Sequence, residues 1–379
     1  MKIPFADNLL FHYVRGLQRK GHSVEPIASL EMKTLNRILL MLTTGLGDAI
    51  LSCPVFPNLR QALPGADIRL FCHKNWAGLF RSDPSLNSVI EYKGQYRHFF
   101  STVKTLRHFA PELTLILHGN DPDILPLAYL ADSRYIVRIP WTGTRFGFLL
   151  SNYGLKGDEA PLPDRHYIDN RLRVLETIGV GVKRRVPQIY LSSTIVDQTR
   201  EKLNRLLGGD SPYWVFHALA ADHYKVWPFS KARELLETTL HVLPNWKVIM
   251  SGSLHDRSAI AKLIKGLPPS RCLNIAGEFS LLETAACIAN ASFLVGPDTG
   301  ILHLAAALET PTVGLYASTL ASLVGPRSLL AKHRIIQKMP TCDPCLAKRC
   351  ASKPPTCMDQ ITVDLVLQSI LDAAQEARG

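Results

Sequence analysis

The sequence predicts an α/β protein made of two doubly wound parallel sheets, and three observations predict it. Short apolar runs of strand length alternate with helix-length stretches of spaced apolar residues. The alternation occurs in two series, separated by a passage rich in Gly, Arg and Pro near residues 185–195. The chain has 379 residues, long for one domain and comfortable for two. Five segments follow: an N-terminal extension (1–35), a first α/β domain (36–190), a second (191–340), a Cys-rich segment (341–358) and a C-terminal helix (359–379). Two such domains imply a ligand cleft between them, lined by the carboxyl ends of parallel strands.

In order, Asn8 to Gln18 has Leu9, Leu10, Tyr13, Val14 and Leu17 at helical spacing. This predicts an amphipathic helix, packed on the body in preference to a membrane surface. Ile38 to Leu42 is a buried parallel strand, Thr43 to Asp48 a polar, Gly-bearing turn, and Ala49 to Leu63 a helix. "ADIRLFCH" and "LTLILHG" are further strands. "KGDEAPLP" reads as loop and Tyr167–Ile178 as helix. In the second series "YWVFHAL", "WKVIMSGS", "SFLVGPDTG" and "TPTVGLYA" are strands or strand ends. "SKARELLETTLHV", capped by Ser230, "HDRSAIAKLIKGL" and "ILHLAAALE" are helices.

Hydrophobic residues make up 46% and charged residues 20%, the balance of a globular protein with a large core. No apolar run is long enough to span a bilayer. Asp7, Asn8, His12 and Arg15 break the first apolar run, unlike a cleaved signal. The expectation is a cytoplasmic protein. Lys and Arg number 43 against 32 acids, a formal +11. Such a field favours phosphorylated small molecules or an acidic membrane surface. The charge is spread, not striped, and no nucleic-acid-binding motif is present.

Three stretches carry chemistry. In "FLVGPDTGILHLAAAL" a strand ends and a helix begins at Gly300. The N–H groups of its first turn make an anion site. Asp298 or Thr299 as a simple cap is the alternative, though capping does not explain His303. In "HALAADHYKVWPFSKARELL" Lys225 sits in a strand-to-helix loop, suited to phosphate; a solvated lysine is the plain alternative. In "TTGLGDAI" the glycines, Gly47 among them, fit neither a P-loop nor G-x-G-x-x-G. The turn leaves Asp48 at a helix start, as a general base or as a dipole-stabilised carboxylate.

Together "LTTGLGDAILSCPVFPNLRQALPGADIRLF", the "KVWP" loop and "VGPDTGILHLAAALETPTVGLYAST" resemble the lipopolysaccharide heptosyltransferases, the ADP-heptose-dependent glycosyltransferases of family 9. The likeness runs from about Arg37 to the C-terminus. It implies the GT-B fold, two Rossmann-like domains facing a central cleft, the acceptor on the first and the nucleotide sugar on the second. It implies Asp48 as catalytic base and Lys225 on the donor phosphates. It also implies Asp298, Thr299, Gly300 and His303 at the diphosphate and heptose, Asp256 at the ribose, and a structural role for Glu283. Lys225 and a helix N-terminus can neutralise a leaving ADP without a metal. The donor-binding half has no Asp-x-Asp; Asp121 and Asp123 lie on a loop of the first half. Inverting, metal-independent transfer is therefore expected.

Cys342, Cys345, Cys350 and Cys357 crowd into "TCDPCLAKRCASKPPTC", with Lys348, Arg349 and Lys353 to offset thiolate charge. Cys-x-x-Cys followed by two more cysteines is a structural metal signal, zinc first and iron second. Free thiols are the alternative, and a reducing cytoplasm disfavours a disulfide. The segment's place in the chain sets it apart from the chemistry, in a structural or acceptor-docking role. Cys53, Cys72, Cys272 and Cys287 read as small core residues.

The resulting expectation is heptose transfer from ADP-heptose to the lipopolysaccharide inner core, by an enzyme peripheral on the anionic inner-membrane surface. Two alternatives remain open on sequence: the same chemistry on a protein (autotransporter) acceptor, and a non-catalytic sugar-nucleotide-binding module.

Overall fold

A computed structural model describes residues 5–119, 121–139, 145–154, 162, 164–342, 345, 347–352 and 355–377. The chain divides into two compact units, Met1–Arg185 and Val186–Gly379. The "KGDEAPLP" loop, apart from Leu162, and Lys353 lie outside the described residues.

The first unit holds a five-stranded parallel sheet. Its strands are β1 (Arg37–Leu42), β2 (Asp67–His73), β3 (Ser88–Tyr92), β4 (Leu113–His118) and β5 (Tyr135–Arg138), in the order β3-β2-β1-β4-β5. β1 is central, and apart from Arg37 all its residues are buried. It pairs with β2 from Arg37↔Asp67 to Leu42↔Cys72. Its pairing with β4 slips between Met41 and Leu42, bringing Leu42 opposite His118. The helix expected over 49–63 is two helices, Leu46–Ser52 and Val55–Ala62. Pro54 lacks the N–H that would continue the first and instead starts the second.

The helix Phe5–Arg19 lies on this unit's apolar core. Val14 is fully buried, and Leu10, Phe11 and Leu17 pack against a cluster that includes Phe146, Leu149 and Tyr129. Asp7, buried at the other end, accepts from Arg145 at 2.9 Å and from the Tyr96 hydroxyl at 2.9 Å. Asp121 accepts from Gln95, and buried Asp123 from the Tyr92 hydroxyl and the Tyr96 amide. These two aspartates brace loops.

The second unit has six parallel strands: β6 (Tyr213–Phe216), β7 (Lys247–Met250), β8 (Cys272–Asn274), β9 (Leu294–Pro297), β10 (Thr312–Tyr316) and β11 (His333–Gln337). Their order is β11-β10-β9-β6-β7-β8. Counted within the unit this is the 3-2-1-4-5-6 winding of a dinucleotide-binding fold; the first unit has the 3-2-1-4-5 version. Trp214 stacks on Phe293 with centroids 5.7 Å apart, and Trp246 joins them. The C-terminal helix Val363–Glu376 closes one face through Val366, Ile370, Ala373 and Ala374. Gly296 in β9 has a packing reason: a Cβ there would lie 2.8 Å from the His217 carbonyl oxygen.

Ser230 is not the cap of its helix. That helix is Phe229–Val242, Pro228 takes the cap position, and no side-chain cap bond forms. Proline presets the entry one turn-position early, which leaves Ser230 inside the first turn. The four singly placed cysteines are buried, as expected.

Candidate active site

In a doubly wound sheet, ligands bind where the strand order reverses, outside the carboxyl ends of the two central strands. In the first unit this point lies beyond β1 and β4. Beyond β1, Gly45 occupies the N-cap position of helix Leu46–Ser52, and Gly47 and Asp48 fall in its first turn. Arg171, from the helix Tyr167–Thr177, donates to Asp48 Oδ1 in an ion pair. His118, the last residue of β4, has Nε2 3.9 Å from the same oxygen. Thr44 Oγ1 lies 2.8 Å from His118 Nδ1. Asp48 Oδ2 has no hydrogen-bond partner among the described residues, and the side chain is about one-third exposed. One carboxylate oxygen is thus held and the other is open to a hydroxyl.

The surroundings of Asp48 are cationic and largely buried. Burial pulls the His118 pKa down to about 4; Asp48 opposes this, while Arg171 and Arg138 add to it. Burial also lowers the Arg171 pKa, against the pull of Asp48. Arg171 Nη1 donates to the Tyr167 carbonyl at 3.2 Å, and its Nε is buried without a partner. Asp48 thus lies in the first turn of its helix and is also paired with Arg171.

In the second unit the reversal point lies beyond β6 and β9, and the sequence-predicted donor residues meet there. Lys225 Nζ is 2.6 Å from Asp298 Oδ2 and 3.3 Å from the Asp298 carbonyl. His303 Nε2 is 3.5 Å from Asp298 Oδ1. Burial would raise the Asp298 pKa, but the His303 contact and the Lys225 charge outweigh it and hold the carboxyl well below the usual range. Asp298 therefore does not cap the helix Gly300–Ala307. Thr299 occupies the N-cap position, yet its hydroxyl makes no capping bond. Thr299 Oγ1, His303 Nδ1 and the Tyr316 hydroxyl are all buried without a partner. Burial, and then Asp298, raise the Tyr316 pKa well above its ordinary value. Such orphaned polar atoms are costly in a core and recur where a ligand completes the bonding. With the free N–H groups of the first turn at Gly300, they make an anion-and-hydroxyl site.

The Lys225 loop is anchored from below. Trp227 is buried, and its indole N–H donates to the Ile361 carbonyl at 3.1 Å. That bond ties the K-x-W-P loop to the start of the C-terminal helix. His217, at the end of β6, is 3.1 Å from Ser251 Oγ, and burial brings its pKa down to about 4.

Two predicted residues turn out to be occupied in caps. Asp256 Oδ2 accepts from Ser253 N at 2.8 Å and from Ser253 Oγ at 2.7 Å. Glu283 closes a capping box with Ser280 and pairs with Lys202 at 2.7 Å. The Cys-rich segment is not apart from the donor loop, which corrects that expectation. His223, two residues before Lys225, bonds the Cys350 carbonyl at 3.0 Å, and Cys345 influences the neighbouring Tyr224 electrostatically. Cys342 and Cys345 are mutual hydrogen-bond neighbours and both exposed, whereas Cys357 is buried. Among the described residues no three His, Cys, Asp or Glu side chains are arranged to hold a metal ion. The side chain of Arg349 lies outside the described residues.

Sequence reasoning missed Arg171, His118, Thr44 and Tyr316. For His118 the signal was present: the strand "LTLILH" ends on it, and the reversal rule selects that end. Arg171 has no local signal, because a tertiary contact brings it to Asp48.

Two Rossmann-type doubly wound sheets in one chain are the architecture of the GT-B class. The sequence profile of glycosyltransferase family 9 (heptosyltransferase) matches residues 132–355, more than half of the chain, and the chain belongs to that family. It is 28% identical over 344 residues to lipopolysaccharide heptosyltransferase 1 of Pseudomonas aeruginosa, covering 84% of this chain and 88% of the relative. Among solved structures, a family 9 glycosyl transferase from Veillonella parvula superposes with a TM-score of 0.76 at 19% identity, covering 92% and 99% of the two chains. E. coli ADP-heptose lps heptosyltransferase II superposes with a TM-score of 0.71 at 22% identity, covering 90% and 100%.

Proposed function

We propose that the chain transfers heptose from ADP-heptose to the lipopolysaccharide inner core, with inversion and without a metal, at the cytoplasmic face of the inner membrane. The observation that carries this reading is the set of groups at the second reversal point. Lys225, the helix start at Gly300 and the orphaned Thr299 and Tyr316 hydroxyls suit a diphosphate with a polyhydroxylated sugar attached.

An acceptor hydroxyl attacks the anomeric carbon, and Asp48 takes its proton through the open Oδ2. The new C–O bond forms as the bond from the anomeric carbon to the phosphate oxygen breaks. ADP leaves with the electron pair. Its growing charge is met by Lys225 and by backbone N–H groups, fixed dipoles that need no reorganisation at the moment of reaction. Attack on the face opposite the leaving group inverts the anomeric centre. Arg171, bonded to Oδ1, holds the direction of Asp48. The test offers purified chain ADP-heptose with a heptose-free inner-core acceptor and, separately, an autotransporter protein. Mass increase of the core by one heptose supports the reading. Modification of the protein alone, or of neither, contradicts it.

A further inference from the structure

We infer that the outer face of the helix Phe5–Arg19, together with Phe100, is a docking surface for an anionic lipid bilayer. The inference rests on the reading above only in that a lipid-borne acceptor requires the enzyme at a membrane.

One side of this helix is spent on the core of the first unit. The other side exposes Phe5 (83%), Leu9 (62%) and Tyr13 (55%) at i, i+4 and i+8, a single stripe. Phe100, 86% exposed, opens the helix Phe99–Phe109. The bond from the Tyr96 hydroxyl to Asp7 holds this second helix start beside the N-terminal end of the first. Tyr96 and His98 both take left-handed backbone, each at φ 56°, in the turn that presents Phe99 and Phe100. Non-glycine residues rarely adopt that conformation unless surrounding contacts fix it. Here the contacts are those of Asp7 and of Asp123, which accepts the Tyr96 amide.

The charge around these apolar side chains selects the partner. No acidic residue lies between Asp7 and Glu25, or between Glu91 and Glu112. Asp7 itself is buried and paired with Arg145. Arg19, Lys20, Lys93, Arg97 and Lys104 come from these same two segments, and none has a carboxylate partner among the described residues. The carboxylates that face these segments from other elements are engaged, Asp132 with His22 and Arg107 and Asp121 with Gln95. Exposed aromatic and aliphatic side chains flanked by an excess of cations match an anionic interface, where rings and chains enter the headgroup region and Lys and Arg meet phosphates. No described helix is long and apolar enough to cross a membrane, so the attachment is superficial.

Co-sedimentation of the full chain with vesicles tests this. Phosphatidylglycerol-containing vesicles should bind the chain, and phosphatidylcholine vesicles should bind it at least about tenfold more weakly. The variant F5S/L9S/Y13S changes only exposed positions and should lower binding about tenfold or more. R19E/K20E, which leaves the apolar stripe intact, should lower binding and flatten its salt dependence. Unchanged binding in both variants overturns the inference. So does a change in oligomeric state of the triple variant with vesicle binding retained, since the stripe would then join copies of the chain. Transfer to a water-soluble, deacylated acceptor should be unaltered in both variants. Failure of the unsubstituted chain to transfer, with vesicle binding intact, would count against the proposed reaction and leave the surface supported.

Discussion

Lys225 closes onto Asp298, its ammonium 2.6 Å from one carboxylate oxygen and 3.3 Å from the same residue's carbonyl. The pair is mostly buried, so the cation is aimed and already partly desolvated. Charged hydrogen bonds of this kind contribute about 1.5–3 kcal/mol each. Lys225→Ala should therefore weaken ADP binding by about tenfold to a hundredfold in calorimetry. Unaltered ADP affinity would show that the donor site lies elsewhere.

Asp298 also predicts an acid dependence. Its folded pKa is depressed, so its contribution is fully present above the unfolded carboxyl pKa of about 3.9. The contribution is lost as pH falls below that value toward the folded pKa. Asp298→Asn should lower stability at neutral pH and flatten the decline below about pH 4 in denaturant titrations. An unchanged acid limb would exclude Asp298 as a contributor.

His118 works in a different window. Its pKa is lowered to about 4 from 6.5, so the unfolded chain binds the proton more readily between those values. Stability is fully present above pH 6.5 and declines as pH falls toward 4. His217, also lowered to about 4, adds to the same limb. His118→Gln should remove part of that decline, measured by thermal melts across the window. A wild-type slope in the variant would contradict the burial argument.

Arg171 donates to Asp48, and the proposed reaction makes it a positioning residue. Arg171→Met should lower kcat by about tenfold or more with donor KM little changed, because Asp48 loses its orientation. Arg171→Lys should restore only part of the loss, since an ammonium cannot reproduce the guanidinium contacts to both Asp48 and Tyr167. A purely structural role would instead lower melting temperature and leave kcat alone.

Trp227 should matter for both folding and donor binding. Trp227→Ala removes a buried ring and its bond to Ile361, at a cost of about 3–5 kcal/mol in denaturant unfolding. A loss below about 1 kcal/mol would mean that the loop is anchored by something else.

The strongest strands were legible because they are buried on both faces and read as unbroken apolar runs, as in Ile38–Leu42 and Phe293–Val295. Missed were β3, β5, β8 and β11. β3, β8 and β11 stand at or next to sheet margins with partly exposed residues, and β5 is only four residues long. The helix break at Pro54 was visible in the sequence but overridden by helical spacing on both sides. At the site, residues fixed by a local loop, such as Lys225, Asp298 and Asp48, were readable from strand-turn-helix grammar. Arg171 was not, because it reaches Asp48 from a helix distant in sequence, and Tyr316 was not, because the fold and no local motif brings it near Asp298. Asp256 shows the converse: local capping chemistry uses the same residue types as ligand binding.

The central claim is that Asp48 takes the acceptor proton. Its most direct test is the single-turnover transfer rate of Asp48→Asn with ADP-heptose bound, alongside ADP affinity. The rate should fall by about 10²–10⁴-fold while ADP affinity stays unchanged. Transfer at the unsubstituted rate would contradict the claim and remove Asp48 from the mechanism.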